Sequence, residues 1–167
     1  MRTTFRCPHF KKQSGLPDGP RLVGFGFRCW VNGLLLRDPS HWERAWNVYR
    51  GVFDAGIARQ NFRALEMWAR TIDTHACRPL SCHENSSPKH SADERLAISL
   101  VAAAQEGACP ALKACAFALL DTGNVEPVLQ SSTEFGMQLS ATGVLLDPCH
   151  IDHAALDYDT PTAARIH

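Results

Sequence analysis

The residues best suited to chemistry lie together at His75-Ala-Cys77-Arg-Pro-Leu-Ser-Cys82-His83. Two imidazoles and two thiols are the ligand types that Zn²⁺ and Cu⁺ favour. A closed tetrahedral site would use both cysteines and one or both histidines. The spacing counts against it. Four residues separate the cysteines, Pro79 among them, and the adjacent Cys82 and His83 point in different directions. Cys77 and Cys82 could instead close a regulatory disulfide under oxidation. Ordinary structural roles for all four residues are the expected reading. No cofactor is predicted, with zinc or copper as the metal if the cluster binds one.

A second set follows helical spacing. Cys149, His153 and Asp157 are four apart and share one helix face, with His150 three before His153. Such a stripe can hold a metal at a helix surface. It sits beside a terminus expected to fray, where a preformed site is rare. Cys109 is the third candidate. It is the predicted cap of a helix, where the dipole and free N–H groups would favour a reactive thiolate. Its neighbours Ala108 and Pro110 fit a buried, inert turn equally well, and most free cysteines are core residues. Trp42, Trp46, Tyr49 and Phe53 recur along one helical face. That stripe is either core or a partner surface, with core the default. Arg28, Glu43 and Arg44 beside these tryptophans read as surface ion-pair residues.

The elements that must position these groups are mostly helices. Residues 1–20 hold several prolines and glycines and read as an irregular arm. Over 23–36, Phe25, Phe27, Cys29 and Val31 alternate with Gly26, Arg28 and Trp30, and Asn32-Gly33 is a strong type I′ turn signal. A small β-hairpin is predicted there. Ser40-His-Trp-Glu43 matches a capping box opening a helix. Ala58, Phe62, Leu65, Ala69, Ile72 and Ala76 then form an apolar seam over a helix from about 55 to 76. The segment 78–90, with Pro79, Pro88 and Ser86-Ser87, reads as a long loop.

Ser91-Ala-Asp-Glu94 is a second capping box, with acids at the positive helix end. The helix it opens, about 92–106, is apolar nearly all round. Gly107 stops it, and Cys109-Pro110 starts another apolar helix to Leu120. These two are expected to form a central helical hairpin. Val125, Val128, Ser132, Phe135 and Leu139 line a fifth helix ended by Gly143. Asp147-Pro148 caps a short last helix to about Leu156, and 157–167 is a tail expected to fray. The expected fold is therefore mainly α: a compact bundle of five or six helices around the apolar hairpin 92–120, with an N-terminal β-hairpin, in one domain over 21–156.

Composition narrows the function. Of 167 residues, 45% are apolar and 20% charged, which is globular rather than disordered. Lys plus Arg and Asp plus Glu are 17 each. Such a neutral balance makes nucleic-acid binding unlikely, since phosphate contacts need surplus positive charge, although a helical DNA-binding regulator stays as a weak third reading. No membrane-length apolar run and no secretory signal is seen, so a cytoplasmic setting with free thiols is expected. No G-x-S-x-G, H-E-x-x-H, C-x-x-C or P-loop motif occurs. The favoured reading is a non-enzymatic interaction or regulatory protein, binding another protein or itself through helix faces or the 78–90 loop. The alternative is metal-binding or thiol-redox chemistry at His75, Cys77, Cys82 and His83.

Overall fold

The segment expected to form a hairpin is a helix. In the computed structural model, which describes residues 19–151, helix α1 runs Gly19–Leu36 without interruption. Its apolar residues satisfy two periods at once. Phe25, Phe27, Cys29 and Val31 are spaced by twos, while Val23, Phe27, Trp30 and Val31 also recur at threes and fours, and these last four are all buried. The glycines of this run serve close packing, and Gly33 makes no turn. A Cβ on Gly24 would stand 2.6 Å from His90 Cε1, and one on Gly26 would stand 2.8 Å from Leu65 Cδ2. A Cβ on Gly33 would run into the Trp42 indole nitrogen. Asn32-Gly33 thus lies inside a helix because a neighbouring ring needs the space. Among the described residues there is no strand.

Helix α2 (Ser40–Val52) starts where expected, but by another device. Pro39 takes the cap position without a side-chain bond, and the Ser40 N–H donates to Asp38 Oδ1 at 3.0 Å. A carboxylate two residues earlier is a stronger acceptor than the serine hydroxyl. Helix α3 (Ala55–His75) buries the seam Ala58, Leu65, Ala69 and Ile72. Helix α4 (Ala92–Glu106) has the full capping box at Ser91 and Glu94, and Gly107 ends it at φ 67°. Helix α5 (Cys109–Leu120) follows at once and packs on α4. Asp121 ends α5 in the left-handed region. Helix α6 (Glu126–Ala141) buries Val128, Ser132, Phe135 and Leu139 as the pattern implied. The short last helix is a single 3₁₀ turn, Pro148–His150, capped by Asp147 Oδ1 accepting from the Cys149 N–H at 2.8 Å. Its predicted extension to 156, like residues 1–18 of the arm and the tail 157–167, lies outside the described residues, whereas Gly19 and Pro20, read as the end of the arm, open α1.

Helix α4 packs against α1, α5, α6 and the 3₁₀ turn, which accounts for its being apolar on nearly every side. Helix α3 packs against α1, α2 and α6. The α3–α6 seam is also bonded through side chains. Trp68 Nε1 donates to Ser132 Oγ at 2.9 Å, and Asn61 Nδ2 donates to Thr142 Oγ1 at 3.0 Å. None of the described helices is long and apolar enough to cross a membrane.

The glycine packing has a measurable consequence. Gly33→Ala is expected to lower stability by a net ~1–2 kcal/mol, because overpacking against Trp42 outweighs the gain in helix propensity. A Cβ on Gly51 would meet nothing within 4 Å outside its own helix backbone, and Gly51→Ala is the control expected to be neutral or mildly stabilising. Urea unfolding of the two variants side by side checks the difference.

Candidate functional site

The long loop between α3 and α4 is held by charges buried inside the helices. Arg28, in the middle of α1, is 2% exposed, and Glu94, in the first turn of α4, is fully buried. Arg28 Nε and Nη2 donate to the two carboxylate oxygens of Glu94 at 2.9 and 2.8 Å. The remaining donors of Arg28 reach the loop backbone. Nη1 donates to the carbonyls of Glu84 and Ser87 at 3.2 and 2.8 Å, and Nη2 to that of Lys89 at 2.6 Å. Glu94 accepts from the N–H groups of His83 and Ser91 as well, at 2.9 and 3.0 Å. His90 Nδ1 lies 3.3 Å from its Oε2. Burial alone would raise the Glu94 pKa. The Arg28 hydrogen bonds and the two N–H donors more than reverse that and hold it below the ordinary carboxylate value.

A second pair repeats the device one residue earlier. Arg78 donates to both carboxylate oxygens of Asp93, at 2.6 and 3.1 Å, and to the Ala118 carbonyl. Asp93 Oδ2 also accepts from the Ser81 N–H at 2.7 Å. Asn32 Nδ2 donates to the His83 carbonyl, and Ser91 Oγ donates to the Ser81 carbonyl. The loop is therefore fastened by its main chain. The side chains of Ser81, His83, Glu84, Ser86 and Lys89 are exposed.

The structure places the predicted cluster around this loop without drawing it together. His75 Nδ1 lies 2.8 Å from the Thr71 carbonyl of its own helix, so that nitrogen carries the proton. Cys77 is exposed, and its N–H donates to the Leu120 carbonyl. Cys82 packs on the core, and burial, with Glu94 and Asp93 nearby, pushes its thiol pKa well up. His83 points to solvent. Among the described residues, no three His, Cys, Asp or Glu side chains stand where they could share a metal ion. Cys149 and His150 are exposed on the 3₁₀ turn, while His153 and Asp157 lie outside the described residues. Cys109 is exposed in the first turn of α5, where Ala108 and not Cys109 is the cap residue.

The aromatic stripe divides. Tyr49 is fully buried against Phe53 and Phe62, so it belongs to the core and cannot offer a partner surface. Trp42 stacks on Trp30 at 5.0 Å, and Trp46 meets Phe62 edge-on at 5.3 Å, each half-buried. Arg28 is likewise no surface residue: it sits in the interior because Glu94 is there to meet it. Sequence reasoning named Glu94 only as a cap and Asn32 only as a turn residue, and it gave Arg78 no role. The available signal was a lone arginine inside the apolar run of 22–36.

No family model, curated protein or solved structure matches this chain. The functional reading therefore rests on the site. Among the described residues, a cleft of about 510 Å³ lies between α3 and α6, lined by Met67, Trp68, His75, Glu134 and Phe135 among others. Its floor residues Trp68 and Phe135 are almost closed, at 1% exposure each. The hydroxyls of Thr71 and Ser131 on its walls are spent on their own helices. Gln130 and Glu134 on the same wall bond each other at 3.1 Å, and the Gln138 amide is turned to Asn61.

The thiols differ sharply in surroundings. Cys29 and Cys115 are buried, and burial pushes Cys29 up to about 12 against the pull of Arg28 and Arg44. Brief iodoacetamide treatment of the native protein is expected to label Cys77 and Cys109 well before Cys29 and Cys115, because only exposed thiolates react. Peptide mass spectrometry reads the order. Equal labelling of Cys29 would mean that the α1–α2 contact opens readily.

Proposed function

We propose that this chain is a non-enzymatic interaction protein that binds another protein through the 78–90 loop. The observation that supports this reading is how the loop is held. Buried Arg28, Asn32, Asp93 and Glu94 take its main-chain groups, which leaves the exposed side chains of Ser81, His83, Glu84, Ser86 and Lys89 without a structural task. A loop so fastened presents Ser81, His83, Glu84, Ser86 and Lys89 in fixed relative positions. Ordering is then largely complete before binding, and the entropy cost at the interface falls. Loops set on a rigid scaffold are where recognition residues concentrate. A cytoplasmic setting suits the exposed, free Cys77 and Cys109.

Site-specific photo-crosslinking in the source cells tests this. A benzophenone side chain at position 83 or 86 should yield a discrete protein adduct, and the same group at Lys113, exposed on α5, should not. The captured protein, once purified, should bind the wild-type chain and not a His83→Ala/Ser86→Ala variant. The same adducts from all positions, or none from the loop, would sink the proposal.

A further inference from the structure

The stretch Leu80–Glu84 behaves as a strand with one edge occupied and the other open. Leu80 and Cys82 turn inward, the first buried and the second packed on the core, while Ser81 and His83 are exposed. That is the two-residue alternation of an extended chain. In such a chain the N–H and C=O of alternate residues point to opposite edges. The edge of Ser81 and His83 is filled, with every main-chain donor and acceptor matched by a side chain. Ser81 N–H meets Asp93 and its carbonyl meets Ser91, while His83 N–H meets Glu94 and its carbonyl meets Asn32. Side chains of α1 and α4 stand in for a neighbouring strand.

The opposite edge has such a substitute only at its far end, where Arg28 Nη1 takes the Glu84 carbonyl at 3.2 Å. Among the described residues, the N–H and C=O of Cys82, the C=O of Leu80 and the N–H of Glu84 make no hydrogen bond. An unpaired strand edge is a template for another chain. We propose that this edge binds an extended peptide segment of a partner protein by β-augmentation, with Cys82 as the central paired residue. The proposal rests on the reading of the loop as a recognition element and names how it recognises. One partner residue exchanges both main-chain bonds with Cys82, and its flanking residues reach Leu80 and Glu84. Main-chain pairing supplies affinity, and Ser81 and His83, standing on the outer face, select the partner's side chains. The open edge spans about five residues, roughly 17 Å. Two folded copies meeting along it would bury far less than the ~1,200 Å² of a stable interface, so a slender peptide suits it better than a second copy.

Amide hydrogen exchange on the full chain gives the first test. The Cys82 and Glu84 amides should exchange at least about 100-fold faster than those of Ser81 and His83, which are bonded to carboxylates. A displayed library of random dodecapeptides gives the second. It should yield ligands that protect the Cys82 amide and that bind about tenfold more weakly to Cys82→Pro, which lacks the N–H. Cys82→Ala, which keeps the N–H, should bind within about twofold of wild type. Should Cys82→Pro fail to fold, Glu84→Pro removes the neighbouring donor and should weaken the same ligands.

A Cys82 amide already protected in the free monomer overturns the proposal, as does a library with no ligand at this edge. So do ligands indifferent to both proline variants. Light scattering that shows a dimer protecting Cys82 assigns the edge to a second copy instead. If the photo-crosslinked partner still binds Cys82→Pro, the loop is a recognition element working through side chains and the pairing alone is wrong.

Discussion

Glu94→Ala is expected to destabilise the protein by about 3–5 kcal/mol, a large share of the 5–15 kcal/mol that holds a typical domain. The substitution leaves the Arg28 guanidinium buried without its counter-charge. It also strips the acceptor from the His83 and Ser91 N–H groups. Urea unfolding should show a lower midpoint with little change in slope. Many buried ion pairs can be exchanged for apolar residues at small cost. Here Arg28→Met/Glu94→Leu should stay well below wild type, because Arg28 also holds the Glu84, Ser87 and Lys89 carbonyls. A double variant as stable as wild type would show that the loop does not depend on those bonds. In the single variant, the amides of Ser81 and His83 should lose protection from exchange before the helices do.

The same pair sets the acid limit. The Glu94 carboxyl is held below its ordinary value in the folded state. A lowered folded pKa means that its contribution is fully present above the unfolded value, about 4.3, and is lost as pH falls through the folded one. Stability should therefore be flat from neutral pH down to about 5 with respect to this group, then decline. Glu94→Gln should remove most of its share of that decline while costing stability at neutral pH. An unchanged acid profile in Glu94→Gln would assign the decline to other carboxylates.

Trp68→Ala should cost a comparable ~3–5 kcal/mol, by a different mechanism. Trp68 is 1% exposed and sits between Phe27 and Phe135, with ring centroids 5.7 and 4.9 Å away. Removing it opens a cavity where α1, α3 and α6 meet. It also orphans the Ser132 hydroxyl, which is wholly buried and takes the indole N–H at 2.9 Å. Trp68→Phe keeps most of the volume and loses the hydrogen bond, so its cost should fall near ~1–2 kcal/mol. Ser132→Ala should cost about as much as that bond. If Trp68→Ala and Ser132→Ala add without coupling, the two side chains do not act as a pair. Thermal unfolding of the three variants and the double variant reads this.

Much of the helical content was legible from local signals alone. The capping box at Ser91 and Glu94, the stop at Gly107, the Cys109-Pro110 restart and the seam of α3 are each local devices, and each stands where its residues imply. The same locality explains the failure at 23–36. Alternating apolar residues and Asn32-Gly33 satisfy the rules for a hairpin, and nothing nearby in the chain contradicts them. What decides for α1 is distant: His90 against Gly24, Leu65 against Gly26 and the Trp42 ring against Gly33. Ser40 failed as a cap for a smaller reason, since Asp38 supplied the better acceptor.

The candidate site divides along the same line. The length of the 78–90 loop and its odd concentration of thiols and imidazoles could be read from residue order, and so could the acids in the first turn of α4. That Arg28 is buried, that it meets Glu94 across 66 residues, and that the loop is held by its main chain were decided only by tertiary structure. Periodicity and capping act within a turn or two of chain, whereas a buried charge is stable only where a distant partner offsets its lost hydration. The groups that drew attention in the sequence are consequently the ones the structure leaves apart. The ones it brings together, Arg28 with Glu94 and Arg78 with Asp93, carry the loop.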